Sequence, residues 1–247
     1  FIAAVLVLLS HGEAIRTKRG LPGLAELDVF NNGSLAVSFF FVLSGFLICY
    51  LLFEEKETRG GVQVGAFYRR RALRILPLYS VLVTAGLLII PSTLPLLGIH
   101  YSLPYRAPDV IVWYALLMPF VVNILYDVFV IGPLWSIGIE EWFYLLIAPL
   151  FRLNESTIIR TLYSVIIIKI IALTFVDLSA SDSFVARLLT LASFEHMAVG
   201  GLAAQYLRRC STAMLPRVYW NPVVRSVVIA IILLRIAAHS WALHHLP

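Results

Sequence analysis

Two adjacent carboxylates, Glu140 and Glu141, stand near the middle of PLWSIGIEEWFYLLIAPLF, an apolar run from Pro133 to Phe151. The run is long enough to cross a bilayer, where a charged side chain at the centre costs about 2.5–3.5 kcal/mol on insertion scales. An acid kept there at that cost needs a task. At about 3.6 residues per turn, Ser136, Glu140 and Phe143 or Tyr144 share one helix face, while Glu141 points about 100° away. The chemical reading is an acid in an interior polar cavity that handles protons or orients a base. The structural reading is an acid paired with an Arg or Lys of another helix. Spacing alone does not choose between the two glutamates.

Other residues invite the same question. His11 closes the first apolar run, at LLSHG, and an imidazole with an ordinary pKa of about 6.5 takes and returns protons near neutrality. It also suits an interfacial cap. Arg70, Arg71 and Arg74 in FYRRRALRILPLY lie just before the apolar run that starts at Ile75. Arg71 and Arg74, three apart, can converge on one ligand. Arginine forks fit a phosphorylated ligand, and such clusters also set topology or bind anionic lipid. Ser44-Gly45, inside VSFFFVLSGFLICYLLF, brings small residues that permit close helix packing or leave room for a thin chain. Ser44 has no base beside it in sequence and is not read as a nucleophile. His196 stands beside Glu195, which reads as a buried His–Glu contact.

The elements that must hold these residues are membrane helices. The chain has 247 residues, 60% of them hydrophobic and 13% charged, against about 25% charged in a soluble domain. Its mean hydropathy is +0.90. The fold class is all-α, one polytopic transmembrane bundle over residues 1–247. About eight helices are expected, near 1–10, 34–53, 75–90, 110–126, 130–151, 158–176, 184–207 and 223–243. The first run is too short to span alone. The chain therefore reads as starting inside a transmembrane helix, and its last residues read as incomplete too.

A net charge of +5 raises nucleic acid as a partner, but the positions of the charges argue against it. Six of the nineteen Lys and Arg fall between Lys56 and Arg74, as the positive-inside bias produces on a cytoplasmic loop. The loop 12–33 then faces outward. Counting five crossings on from the basic loop puts Arg208, Arg209 and Arg217 outside, against the bias, so either one of the five is re-entrant or the rule fails here. Cys49 and Cys210 have no metal or redox spacing, and no metal site is expected.

Taken in order and spacing, FIAAVLVLLSH, SFFFVLSGFLI, FYRRRALRILPLY and LWSIGIEEWFY resemble the acyltransferase family 3 of membrane-bound acyltransferases. The resemblance is strong over residues 1–151 and continues weakly through SFEHMAVGGLAA. It implies transfer of an acyl group, mostly acetyl from acetyl-CoA, to hydroxyls of cell-envelope carbohydrate such as lipopolysaccharide or peptidoglycan. The implied setting is the bacterial cytoplasmic membrane, with acyl-CoA on its cytoplasmic side and no permanently bound cofactor. Position by position, it makes His11 and Glu140 catalytic and Phe143 the accompanying aromatic, with Ser136 supporting the motif. Arg71 and Arg74 bind the acyl-CoA donor, with Arg70 and Ser44 beside it. The family's serine two residues before the glutamate is Gly138 here, and its usual glutamine after the acid pair is Trp142.

The mechanism expected from these residues puts the CoA phosphates on Arg71 and Arg74 and threads the pantetheine arm between helices. His11, facing inward, takes the proton of the attacking hydroxyl or carries the acyl group, with Glu140 orienting its imidazole. The competing class is a transporter or channel subunit with Glu140, Glu141 and Lys169 as intramembrane ion sites.

Overall fold

The computed structural model describes residues 2–18, 20, 33–98, 103–126, 131–176 and 183–209, and among them every regular element is helical. Helix α1 spans Ile2–Lys18 and α2 spans Gly33–Arg59. Helix α3, Val64–Thr84, continues through a π-helical turn at Ala85–Ile89 into the short α4, Ile90–Thr93. Then come α5 (Ala107–Ala115), α6 (Pro119–Tyr126), α7 (Leu134–Leu150), α8 (Glu155–Phe175), α9 (Phe184–Leu191) and α10 (Phe194–Arg209). Helix α2, the α3–α4 run and α8 are long and apolar enough to cross a membrane.

Local chemistry sets the boundaries. Gly60, with φ of +70°, ends α2 in the left-handed conformation that glycine adopts freely. The Asn154 side chain accepts from the Thr157 N–H at 2.9 Å and caps α8. The π-turn precedes Pro91, which has no N–H for the ladder, and the Ile90 N–H bonds back to the Ala85 carbonyl instead.

Two expected spans are broken. The stretch 110–126 is not one helix but α5 and α6, of about 14 and 12 Å at 1.5 Å per residue, and neither crosses a bilayer. They meet at Leu117, whose φ of +56° costs a branched L-residue about 1–2 kcal/mol. The stretch 184–207 likewise breaks between Leu191 and Phe194 into α9 and α10. The expected helix at 223–243 lies outside the described residues.

The first break removes the charge conflict. With 107–126 no longer a full crossing, α10 ends beside the α2–α3 junction; the basic stretch expected as a loop is mostly helical there, with Lys56 and Arg59 closing α2 and Arg69, Arg70, Arg71 and Arg74 in α3. There Arg208 pairs with Glu57 at 2.5 Å and Arg209 with Glu155 at 3.2 Å. Lys56 donates to the Leu153 carbonyl at the same end. All of these cations stand on one side of the bundle, in line with the bias.

At the centre, α10 runs parallel to α2 in close contact. A Cβ on Gly45 would run into the Met197 carbonyl, and one on Gly200 into the Val42 carbonyl; one on Gly201 would lie 2.8 Å from Cys49 Sγ. Helix backbones that touch this way gain dispersion contact, the main attraction available between helices in lipid. Phe41, Ile48, Leu52, Phe143, Ile147 and Met197 form the core around this pair. Outside it, Ile167, Ile168, Ile170 and Ile171 of α8 are exposed, as suits a lipid-facing surface.

Replacing Gly200 by Leu is expected to lower the thermal midpoint in detergent by the equivalent of about 1–3 kcal/mol, because α2 and α10 must separate. Gly65→Ala, where a Cβ meets open space, should leave it unchanged or raise it slightly. Equal midpoints for Gly200→Leu and wild type would contradict the packing described.

Candidate active site

Helices α2, α3 and α7 line a half-open cavity of about 520 Å³. Its polar wall is Ser44 from α2, Arg71, Arg74 and Tyr79 from α3, and Glu140 and Tyr144 from α7. The 3.6-residue repeat explains why α7 presents Glu140 and Tyr144 together, one turn apart. Phe143 turns the other way, buried in the core with its ring 6.0 Å from Phe194. Of the two aromatics expected on the Glu140 face, Tyr144 takes the site.

Tyr144 connects the elements. Its hydroxyl donates to Glu140 Oε2 at 3.2 Å and is hydrogen-bonded to Ser44 Oγ. A phenol has one proton, so with that proton on Glu140 the serine donates to the tyrosine oxygen. The result is a chain, Ser44 to Tyr144 to Glu140, that ties α2 to α7. The Arg71 guanidinium lies 5.0 Å from the Tyr144 ring centroid and 5.7 Å from that of Phe67, within cation–π range. Arg71 and Arg74 are also electrostatic partners of Glu140. Tyr79 lines the cavity and gives its own proton to the Tyr114 carbonyl at 3.0 Å.

A second cavity of about 510 Å³ lies on the basic side, with Arg59, Arg70 and Glu55 in its wall, and it shares Arg71, Arg74 and Leu51 with the first. The two adjoin at these residues, one toward the basic end of the bundle and the other reaching Glu140. Arg70 is held by Glu55 at 3.1 Å and faces only the basic cavity. Of the expected donor residues, Arg71, Arg74 and Ser44 therefore meet in the inner cavity, and Arg70 stands at its approach.

Among the described residues Glu140 and His11, expected as partners, do not meet. His11 is exposed on α1 instead of facing inward, and its Nδ1 donates to the Val7 carbonyl at 2.9 Å. A carbonyl only accepts, so Nδ1 carries a proton, and in the neutral imidazole Nε2 is then the acceptor. The reason for the separation lies in α1. Ser10 abuts Gly33 at the start of α2, whereas Ser44 lies eleven residues further along, about 16 Å by helical rise. Among the described residues, no hydrogen bond or ion pair joins His11 to Glu140. Ser136 is also apart: its hydroxyl returns to the Pro133 carbonyl at 3.1 Å.

Gly138, where the family pattern expects serine, sits against the α5–α6 turn. A Cβ there would lie 2.8 Å from the Leu117 carbonyl and 2.7 Å from Pro119 Cδ. The glycine and the strained Leu117 turn fit each other. Glu141 faces a smaller cavity of about 290 Å³ on the far side of α3, with Trp142 and Leu116. Lys169 belongs to neither cavity. It donates to the Leu189 and Ala192 carbonyls at the end of α9, the latter at 2.8 Å, and pairs with Glu195 at 3.5 Å. His196 lies 3.2 Å from the same carboxylate, the contact expected from their adjacency.

The chain matches the acyltransferase-3 family, described as an acyltransferase domain, over residues 1–246. It is 31% identical to the O-acetyltransferase OatA of Staphylococcus aureus over 184 residues, which is 64% of this chain and 30% of that protein. It is 31% identical to the acyltransferase MdmB of Streptomyces mycarofaciens over 142 residues, 57% of this chain and 34% of that one. The matched region thus spans about a third of these relatives' length. No solved structure matches the chain significantly.

The hydrogen-bond chain can be measured directly. A double-mutant cycle on Ser44→Ala and Tyr144→Phe should give a coupling of about 0.5–1.5 kcal/mol in detergent unfolding. Additive effects would mean that the two hydroxyls are not bonded.

Proposed function

Because the chain belongs to the acyltransferase-3 family, we propose that it carries the transfer site of a membrane-bound O-acyltransferase. The reaction moves an acyl group, acetyl in the first instance, from acyl-CoA to a hydroxyl of an extracytoplasmic sugar or polysaccharide. The observation that carries this reading is the one cavity that Arg71, Arg74, Ser44, Glu140 and Tyr144 line together, with a second, basic cavity adjoining it. The printed names of both relatives, an O-acetyltransferase and an acyltransferase, point the same way.

In this reading acyl-CoA enters at the basic end, which faces the cytoplasm of a bacterial cell, and its phosphates engage the arginine forks. The thin pantetheine arm runs inward past Leu51 and Ser44. The acceptor hydroxyl then attacks the thioester carbonyl, a C–O bond forms and the C–S bond breaks. The hydroxyl proton passes to a base and ends on the CoA thiol. His11, with a free Nε2 at the outer end of α1, is the base offered from the side where the sugar lies. The donor is a substrate, and the proposal includes no resident cofactor.

The transporter reading needs Glu140, Glu141 and Lys169 on one ion path. Lys169 is instead engaged by α9 carbonyls and Glu195, away from the cavity that Glu140 lines, which favours the enzyme.

Arg71→Ala with Arg74→Ala should weaken acyl-CoA binding about 100-fold with insertion intact, from two charge-assisted bonds of roughly 1.5–3 kcal/mol each. Titration in detergent is the check, and unchanged affinity would leave only a topological role for the pair. For turnover, Glu140→Gln is expected to cut acylated-sugar yield per folded protein by about 100-fold or more, and His11→Ala likewise. Glu141→Gln should be tolerated better. Full activity in Glu140→Gln with loss in Glu141→Gln would reverse the assignment of the two acids.

A further inference from the structure

We infer that Glu140 binds an amide N–H of the donor's pantetheine arm, with Tyr144 and Ser44 as positioning residues that aim its carboxylate. The inference rests on the acyl-CoA reading above and gives Glu140 a partner other than His11. Three observations carry it.

The first is hydrogen-bond arithmetic. Glu140 Oε2 is occupied by the Tyr144 hydroxyl, and the Tyr144 oxygen is in turn bonded to Ser44. The phenolic proton is therefore spent, whereas an ionised carboxylate has about four lone-pair sites on two oxygens. The capacity left over in this wall is acceptor capacity on Glu140, facing the cavity. A ligand that matches it brings N–H groups, and a pantetheine arm carries two secondary amides.

The second is position. Glu140 lines the same cavity as Arg71 and Arg74, which also line the basic cavity, while His11, next to the Ser10 that abuts Gly33, lies about 16 Å outward along α2. The arm has about as many backbone bonds as four peptide residues, so it reaches on the order of 15 Å when extended. An arm anchored by phosphate at the arginines and running outward must pass the Glu140 carboxylate. Contact with the imidazole is beyond the reach of a Glu side chain in this arrangement.

The third is the shape of the wall. Beside the polar groups the cavity is lined by the exposed side chains of Leu47, Leu78 and Leu82. A wall that mixes polar and apolar side chains in this way suits a thin chain whose amides alternate with methylenes better than a hydrated ion.

The test separates the arm from the phosphates. Binding to full-length wild-type protein in nanodiscs would be titrated with CoA and with adenosine 3′,5′-bisphosphate, which keeps the nucleotide and lacks the arm. Glu140→Gln is expected to weaken CoA about 5- to 10-fold, since a charge-assisted bond becomes a neutral one, and to leave the bisphosphate within about twofold. Tyr144→Phe should show the same selectivity to a smaller degree, and Arg74→Ala should weaken both ligands. Equal losses for CoA and bisphosphate in Glu140→Gln, or no loss for either, would overturn the inference while leaving the acyl-CoA reading intact. Failure of wild-type protein to bind either ligand would overturn that reading itself, and this inference with it.

Discussion

The contact between the α2 and α10 backbones is the constraint on which the site depends. In lipid there is little hydrophobic drive to bring two helices together, so their closeness is governed by what lies between them. Gly45, Gly200 and Gly201 put almost nothing there. Gly45 is the residue after Ser44, and the seam that buries one presents the other to α7. The Ser44–Tyr144 bond then extends the same alignment across to Glu140. Three helices are thus placed relative to one another by missing side chains on one flank and by two hydroxyls on the other.

An acid in the membrane interior is costly unless its surroundings replace water. Around Glu140 they do so with a phenol, a serine hydroxyl and two guanidinium groups. Arg71 is itself spread over the rings of Tyr144 and Phe67, which suits its weakly hydrated, planar charge. Lys169 solves the same problem elsewhere, by capping the carbonyls at the end of α9 and pairing with Glu195. The first arrangement borders a cavity and has unused hydrogen-bonding capacity. The second lines neither that cavity nor the basic one and spends its ammonium on carbonyls and Glu195, and that difference separates a binding wall from a structural brace.

Much of this was legible in the residues, for identifiable reasons. Long apolar runs and the cluster from Lys56 to Arg74 give membrane helices and a shared basic end, because both follow from solvation and do not need tertiary detail. The spacing of Arg71 with Arg74, and of Glu140 with Tyr144, announces shared faces. The breaks at Leu117 and before Phe194 were not legible. An apolar run has no periodicity to mark a turn, and Leu117 is a poor guide to a left-handed conformation. The detachment of His11 from Glu140 was hidden for a different reason. Motif order along a chain does not report depth in the bilayer, and depth follows from where Ser10 meets Gly33.

The pairing of α2 with α10 also bears on biogenesis. Gly45 and Met197 touch across 152 positions of sequence. At a synthesis rate of about 5–20 residues per second, α2 waits on the order of ten seconds or more in the membrane before its partner exists. During that time its glycine seam and Ser44 face lipid or a transient escort, and Lys169 arrives in α8 before the α9 carbonyls that satisfy it. Assembly of the site is therefore a late event, deferred until α10 inserts.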